Sequence, residues 1–147
     1  MHCAIQGGQE VPEPPGSSAT ILVIEDERFV RKATCDTLRA AGYRVHSAEC
    51  AAAATKLFWA YRNQIQLLLC DAVLPDSSGA RLARTLRRRS SAIKVILVSG
   101  YPEAARWGYF DQKSGNEFLA KPYSAAVLVA KVQTVLQKAG LRKETVA

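Results

Sequence analysis

The stretch that decides the fold is a run of four apolar residues followed by two carboxylates, Ile21-Leu22-Val23-Ile24-Glu25-Asp26. Three more apolar runs end at a polar residue suited to phosphoryl chemistry: Leu67-Leu68-Leu69-Cys70 before Asp71, Val95-Ile96-Leu97-Val98 before Ser99, and Phe118-Leu119-Ala120 before Lys121. Parallel strands of this kind end at one edge of one sheet, which is where open α/β sheets place their sites. The sequence therefore predicts that three carboxylates, a hydroxyl and an ammonium group meet there.

Helical patterns alternate with the apolar runs along the chain. We predict strands at 20–24, 43–47, 66–70, 93–98 and 117–120, and helices at 27–41, 49–62, 79–89, 103–112 and 124–138. Gly42 and Gly140 stand where helix C-terminal caps are expected, and Ser124 stands at an N-cap position. Five βα units indicate an α/β protein with a doubly wound parallel sheet covered by helices on both faces.

Length and composition favour a single domain. The chain has 147 residues, of which 48% are hydrophobic, and this is enough for one ordinary core. Residues 1–19 are rich in Gly, Pro and Ser and are predicted to form a disordered tail or interdomain linker, and residues 139–147 a short C-terminal tail. No apolar run approaches the roughly 18 residues that span a bilayer, and the start lacks the pattern of a secretory signal, so we expect a cytoplasmic protein without membrane association.

The formal net charge of +7 raises the question of an acidic partner. The densest basic patch consists of Arg81, Arg84, Arg87, Arg88 and Arg89. Leu82, Ala83 and Leu86 interleave these arginines at helical spacing, which predicts the solvated face of an amphipathic helix and leaves docking of an acidic partner open. No helix-turn-helix or aromatic array accompanies the charge, so direct nucleic-acid binding is not expected. The four cysteines and two histidines lack metal-site spacing and are interpreted as ordinary side chains.

Four motifs together carry a family resemblance. They are Ile24-Glu25-Asp26-Glu27, Asp71-Ala72-Val73-Leu74-Pro75 with Gly79 following, Val98-Ser99-Gly100-Tyr101, and Ala120-Lys121-Pro122-Tyr123. Each motif is weak by itself, but their order and spacing across residues 20–138 resemble the receiver domain of bacterial two-component response regulators. The resemblance implies a flavodoxin-like (βα)5 fold with strand order 2-1-3-4-5. It also implies either a stand-alone regulator or the receiver of a hybrid histidine kinase.

The resemblance assigns a chemical role to each carboxylate. Asp71 would be the phosphoacceptor and would form an aspartyl phosphate. A carboxylate that attacks an anionic phosphoryl group needs a divalent cation, and Mg²⁺ (or Mn²⁺) suits an all-oxygen site. Asp26 and Asp71 would bind the ion directly, Glu25 through a water, and Val73 through its backbone carbonyl.

The remaining site residues would bind the phosphoryl group and couple its presence to a change in conformation. Lys121 would pair with Asp71 at rest and with a phosphoryl oxygen afterwards, and its bond to Pro122 is expected to be cis. Ser99 would donate its hydroxyl to another phosphoryl oxygen, where the family more often has threonine. Phe118 occupies the position of the family's switch aromatic, often tyrosine, and its rotation would accompany a population shift.

The resemblance also implies partners. A histidine kinase or a histidine phosphotransfer protein would donate the phosphoryl group. An output protein would dock on the face formed by the fourth helix, the fifth strand and the fifth helix, which would include Arg106, Trp107, Tyr109 and Tyr123. A phosphorylation-linked homodimer is compatible with the same face. The domain would act in signalling rather than as an enzyme, and would catalyse only its own phosphorylation and dephosphorylation.

Other interpretations of the same residues remain. Taken singly, Glu25 and Asp26 could begin a helix, Asp71 could begin a turn, and Lys121 could be a surface lysine. A haloacid-dehalogenase-type phosphatase also uses a strand-end aspartate, but it requires a second aspartate where this chain has Val73. The alternative function is a receiver-like module that binds its partner without phosphorylation.

Overall fold

The computed structural model describes residues 18–100 and 115–146, with side chains described as far as 138, and these residues form a five-stranded parallel sheet. The strands are β1 (Thr20–Ile24), β2 (Arg44–Ala48), β3 (Ile65–Asp71), β4 (Lys94–Ser99) and β5 (Glu117–Ala120). The helices described are α1 (Arg28–Ala40), α2 (Ala51–Tyr61), α3 (Gly79–Arg87) and α4 (Ala125–Val146). The strand order β2-β1-β3-β4-β5 and the parallel pairing confirm the predicted flavodoxin-like topology.

Two apolar layers fill the space on the two faces of the sheet. On one face, α2 and α3 bury Phe58, Leu82 and Leu86 against the strands. On the other face, α1 and α4 bury Leu38 and Leu128. The central strands are therefore covered on both sides, which explains why their sequences are continuously apolar rather than alternating.

Several predicted helix boundaries have the expected local cause. Gly42 follows α1 with a φ of +100°, and the amide of Tyr43 donates to the carbonyl of Leu38 at 3.1 Å, which closes the helix with a left-handed residue that glycine adopts without strain. The hydroxyl of Ser124 accepts from the amide of Val127 at 3.1 Å and caps α4. The hydroxyl of Ser78 accepts from the amide of Arg81 at 3.1 Å and caps α3. Other boundaries differ from the prediction by one or two residues.

The predicted end of the last helix is wrong. We expected it at residue 138 with Gly140 beyond the helix, but α4 continues through Gly140 to Val146. A glycine inside a helix costs only about 1 kcal/mol, and strong helix formers such as Leu141 and Arg142 follow it. The predicted C-terminal tail at 139–147 therefore contains helical backbone.

Some predictions fall outside the described residues. These are residues 1–17 of the predicted tail at 1–19, Tyr101 of the third motif, and the helix at 103–112 with Arg106, Trp107 and Tyr109. Among the helices that the structure does describe, none combines the length and the apolar character that crossing a bilayer requires.

Candidate functional site

Three carboxylates converge at the carboxyl edge of the sheet. Glu25 and Asp26 follow β1, Asp71 ends β3, and one oxygen from each lies within 4.8 Å of the others. The two strands are neighbours, and Ile24 lies opposite Cys70 in the ladder, so the residues at their ends are brought together by register alone. The predicted meeting of these three side chains is confirmed.

Lys121 follows the edge strand β5 and completes the cluster at the same carboxyl edge of the sheet. Its Nζ lies 2.9 Å from Oε1 of Glu25 and 3.0 Å from Oδ2 of Asp71. Its backbone amide donates to the carbonyl of Ser99 at 2.9 Å, which ties the segment after β5 to the end of β4. The Lys121–Pro122 peptide bond is cis, as expected. One ammonium group therefore serves two carboxylates.

The protonation equilibria at the site follow from burial and from these ion pairs. Burial raises the pKa of Glu25 above its ordinary value, although the hydrogen bonds from Lys121 and from the Glu27 amide oppose this. Burial by itself would lower the pKa of Lys121, but hydrogen bonds to Glu25 and Asp71 outweigh it and raise the pKa. Lys121 is therefore cationic at neutral pH. The cluster sets three carboxyl groups against one ammonium group, and a hard divalent cation fits this all-oxygen donor set.

The carboxylate of Asp71 is held by both of its oxygens. Oδ2 pairs with Lys121, and Oδ1 accepts a hydrogen bond from the amide of Val73 at 3.1 Å. The side chain is 11% exposed, whereas the neighbouring Asp26 is exposed at the mouth of the cluster. Cys70 lies below, with Sγ 3.3 Å from the Asp71 carbonyl oxygen, and burial together with the charges of Asp71 and Glu25 raises the pKa of its thiol.

The loop between β3 and α3 forms a closed rim beside Asp71. The amide of Gly79 donates to the carbonyl of Ala72 at 2.8 Å, and Val73 and Ser78 form an antiparallel bridge. A Cβ atom at Gly79 would overlap the carbonyl oxygen of Asp71. The glycine of this motif is therefore required because the helix passes directly against the backbone of the central carboxylate.

Ser99 and Phe118 lie on the two strands between Asp71 and Lys121. Ser99 is buried at the end of β4, opposite Ala120 of β5. Phe118 is half-buried in β5 and packs against the apolar layer beneath α2 and α3. Every predicted site residue in the described part of the chain thus lies at or just below the carboxyl edge. The side chain of Val73 is exposed on the rim.

Sequence reasoning missed two residues that support the site. Arg31 of α1 is buried, and its guanidinium donates to the backbone carbonyl of Glu25 at 2.9 Å. Asp76 reaches α2, where its carboxylate accepts hydrogen bonds from the amides of Ala51 at 2.8 Å and Ala52 at 3.0 Å, and these bonds lower its pKa. Each residue lies close to a motif in sequence, but its partner is evident only once α1 has folded back toward Glu25 or α2 lies beside the loop after β3.

Comparison with known proteins agrees with the fold. The family model described as the response regulator receiver domain matches residues 21–133. The sensor kinase CckA of Brucella abortus is 35% identical over 121 residues, which cover 82% of this chain and 13% of that protein. A crystal structure of the receiver domain of the hybrid histidine kinase CckA is 32% identical with a TM-score of 0.66, covering 80% of this chain and 99% of that one. A response regulator receiver domain from Clostridium thermocellum is 26% identical with a TM-score of 0.73, covering 84% and 98%.

The chain belongs to the response regulator receiver domain family and is a signalling domain of two-component systems. It spans 13% of the length of CckA and about half the length of several transcriptional regulators that it also matches.

Proposed function

We propose that Asp71 is the phosphoacceptor of this receiver domain and takes its phosphoryl group from a phosphohistidine. The observation that carries this proposal is the placement of the Asp71 carboxylate, which shares Lys121 with Glu25 and lies with Glu25 and Asp26 in one acidic cluster. A carboxylate is a weak nucleophile that such charged neighbours orient and make selective for phosphoryl transfer.

In the transfer step an oxygen of Asp71 forms a bond to phosphorus while the bond from phosphorus to the donor imidazole nitrogen breaks. The electron pair of the broken bond stays on the imidazole. Lys121, 3.0 Å from Oδ2 of Asp71, exchanges this carboxylate contact for one with a phosphoryl oxygen. Ser99 donates its hydroxyl to a second oxygen. Hydrolysis reverses the state, because water attacks phosphorus, inorganic phosphate leaves, and the Asp71 carboxylate is restored.

The acidic cluster would hold Mg²⁺, or Mn²⁺ in its place. Asp26 and Asp71 would be direct ligands, Glu25 would act through a water, and Val73 would contribute its backbone carbonyl. When bound, the ion neutralises charge that develops on the phosphoryl oxygens. Glu25 is fixed for this role, since its Oε2 accepts from the amide of Glu27 at 2.9 Å and its Oε1 pairs with Lys121.

The phosphoryl group would act as a switch through the strands that it touches. Its contact with Ser99 at the end of β4 would draw the following loop toward the site. Phe118, half-buried on the neighbouring strand, would rotate into the space released. The equilibrium shifts only by the difference in contacts between the two states.

The partner that donates the phosphoryl group is a histidine kinase or a histidine phosphotransfer protein, because both present a phosphohistidine. Such a partner must cover the mouth of the cluster to bring its imidazole to Asp71. Phe29, three residues beyond Asp26 in sequence and 81% exposed, would offer such a partner an apolar contact. The output partner would use the face formed by the helix predicted at 103–112, β5 and α4, and the setting would be cytoplasmic.

The test is intact-mass measurement after incubation with acetyl phosphate, with Mg²⁺ or with a chelator. We expect a gain of one phosphoryl group that requires Mg²⁺ and is absent in Asp71→Asn. Asp36→Asn, which makes the same chemical change on the exposed side of α1, is the matched control and should be labelled like the parent protein.

Two results would contradict the proposal. Undiminished labelling of Asp71→Asn would assign the phosphoryl group to another residue. Failure of the folded parent to bind Mg²⁺ or beryllofluoride would favour the module that acts without phosphorylation.

A further inference from the structure

The net charge of the protein is concentrated on one helical layer. Residues 50–70 and 77–93, which contain α2 and α3, hold seven of the 20 basic residues and none of the 13 acidic ones. The rest of the chain therefore carries equal numbers of basic and acidic residues. We define the basic surface by six exposed side chains of this layer: Lys56, Trp59, Arg62, Arg84, Arg88 and Arg89.

The basic surface lacks internal neutralisation. Within residues 18–100 and 115–146, none of its five cations takes part in an ion pair, whereas Lys32, Lys131 and Lys138 all pair with carboxylates. Like charges on one face repel each other and lower the stability of the free domain. An anionic partner would relieve this repulsion.

The basic surface contains an exposed tryptophan that two of its arginines contact. Trp59 is 43% exposed, and the guanidinium carbons of Arg62 and Arg89 lie 5.0 Å and 5.6 Å from the centre of its ring. These cation–π contacts join the end of α2 to the end of α3 and hold both guanidinium groups in place. Tryptophan and arginine are the residues most enriched among the anchors of protein interfaces, and here their order is already imposed in the free domain.

We propose that this basic surface docks an acidic segment of a protein partner, at a position separate from the phosphorylation site. Guanidinium groups with fixed orientation match carboxylates in a two-point geometry. A single-stranded nucleic acid would instead need an open ring on which to stack a base, and two guanidinium groups already lie over the Trp59 ring. The chemistry therefore favours carboxylates over nucleotides.

The experiment is fluorescence anisotropy of a labelled oligoglutamate peptide with the intact chain, over a series of salt concentrations. We expect binding that weakens as salt rises. Arg62→Ala with Arg89→Ala should weaken binding about tenfold, as loss of interface anchors does. The matched control is Arg28→Ala with Lys32→Ala, which removes the same charge from exposed positions of α1 on the opposite face and should bind like the parent.

Three results would overturn the proposal. They are equal weakening in both double variants, tighter binding of an oligothymidylate of equal charge than of the peptide, and no peptide binding at low salt. Circular dichroism verifies that each variant is folded, since all four residues are exposed. Asp71→Asn should bind the peptide like the parent protein, so failure here and failure of the proposed phosphorylation are separate results.

Discussion

The carboxyl edge of the sheet and the basic surface gather charge of opposite sign by different means. At the edge, strand register and backbone hydrogen bonds force three carboxylates to within 4.8 Å, and a single lysine is shared by two of them. On the basic surface, exposed side chains of two helices carry the charge, and a tryptophan ring provides their only fixed contact in the described part of the chain. Backbone geometry thus determines the first region, and side-chain composition the second. Substitutions should disturb the two regions to different degrees.

The largest effect is expected where the backbone of the edge is closest packed. Gly79→Ala should lower the free energy of unfolding by about 2–3 kcal/mol, because the added methyl group overlaps the Asp71 carbonyl oxygen and the loop must move. Gly100→Ala is the control, since its Cβ would lie 3.7 Å from Cβ of Lys121 in ordinary contact. Urea denaturation measures both. Equal free energies of unfolding for the two variants would show that the loop between β3 and α3 moves to accommodate the added methyl group at little cost.

An intermediate effect is expected from the shared lysine. Lys121→Met should bind Mg²⁺ about three- to tenfold more tightly than the parent, because a positive charge within 3.0 Å of two carboxylates is removed. Isothermal titration calorimetry measures the affinity. Lys32→Met, which removes an exposed lysine of α1, should leave it unchanged. If Mg²⁺ binds Lys121→Met no more tightly than it binds the parent, the charge of Lys121 does not weaken the affinity for Mg²⁺.

The smallest effect is expected at the boundary between the two regions. Asp76→Asn should slightly lower the urea midpoint at neutral pH, since it removes the charge and one acceptor from the start of α2. The pKa of Asp76 is lowered from its ordinary value of 3.8, so its stabilisation is present above that value and is lost as the pH falls through the folded pKa. The difference between variant and parent should therefore disappear in acid. A difference that persists there would have a cause other than this carboxylate.

The sequence predicted the features that depend on strand order. Apolar runs with polar ends are enough to place Glu25, Asp71 and Lys121 at one edge, because parallel strands present their ends together. The sequence is a poor guide to the burial and contacts of side chains that a distant segment covers. His46 stands between Val45 and Ser47 in an alternating strand pattern that does not indicate its burial, yet it is buried and stacks on the ring of Tyr61 at 4.1 Å. Asp76 is likewise an ordinary turn residue until α2 is placed beside it.

The end of the last helix shows a different limit of sequence reasoning. Gly140 is a common helix terminator, but the signal is only statistical, and the residues after it favour helix as strongly as those before it. Gly79 is the opposite case. Its place in the motif is evident from the sequence, but the reason for it, contact with the Asp71 backbone, is seen only in the folded structure.

The buried Cys70 thiol beside Asp71 bears on whether an acyl phosphate there could undergo a side reaction. An aspartyl phosphate at Asp71 would be an activated acyl group, open to capture by a nearby thiolate as a thioester. The Cys70 sulfur is the thiol adjacent in sequence, 3.3 Å from the backbone carbonyl oxygen of Asp71, and its raised pKa keeps it protonated at neutral pH. The burial and the negative charge around Asp71 thus keep the neighbouring thiol unreactive, and an acyl phosphate formed there would be left to water and to the partner protein.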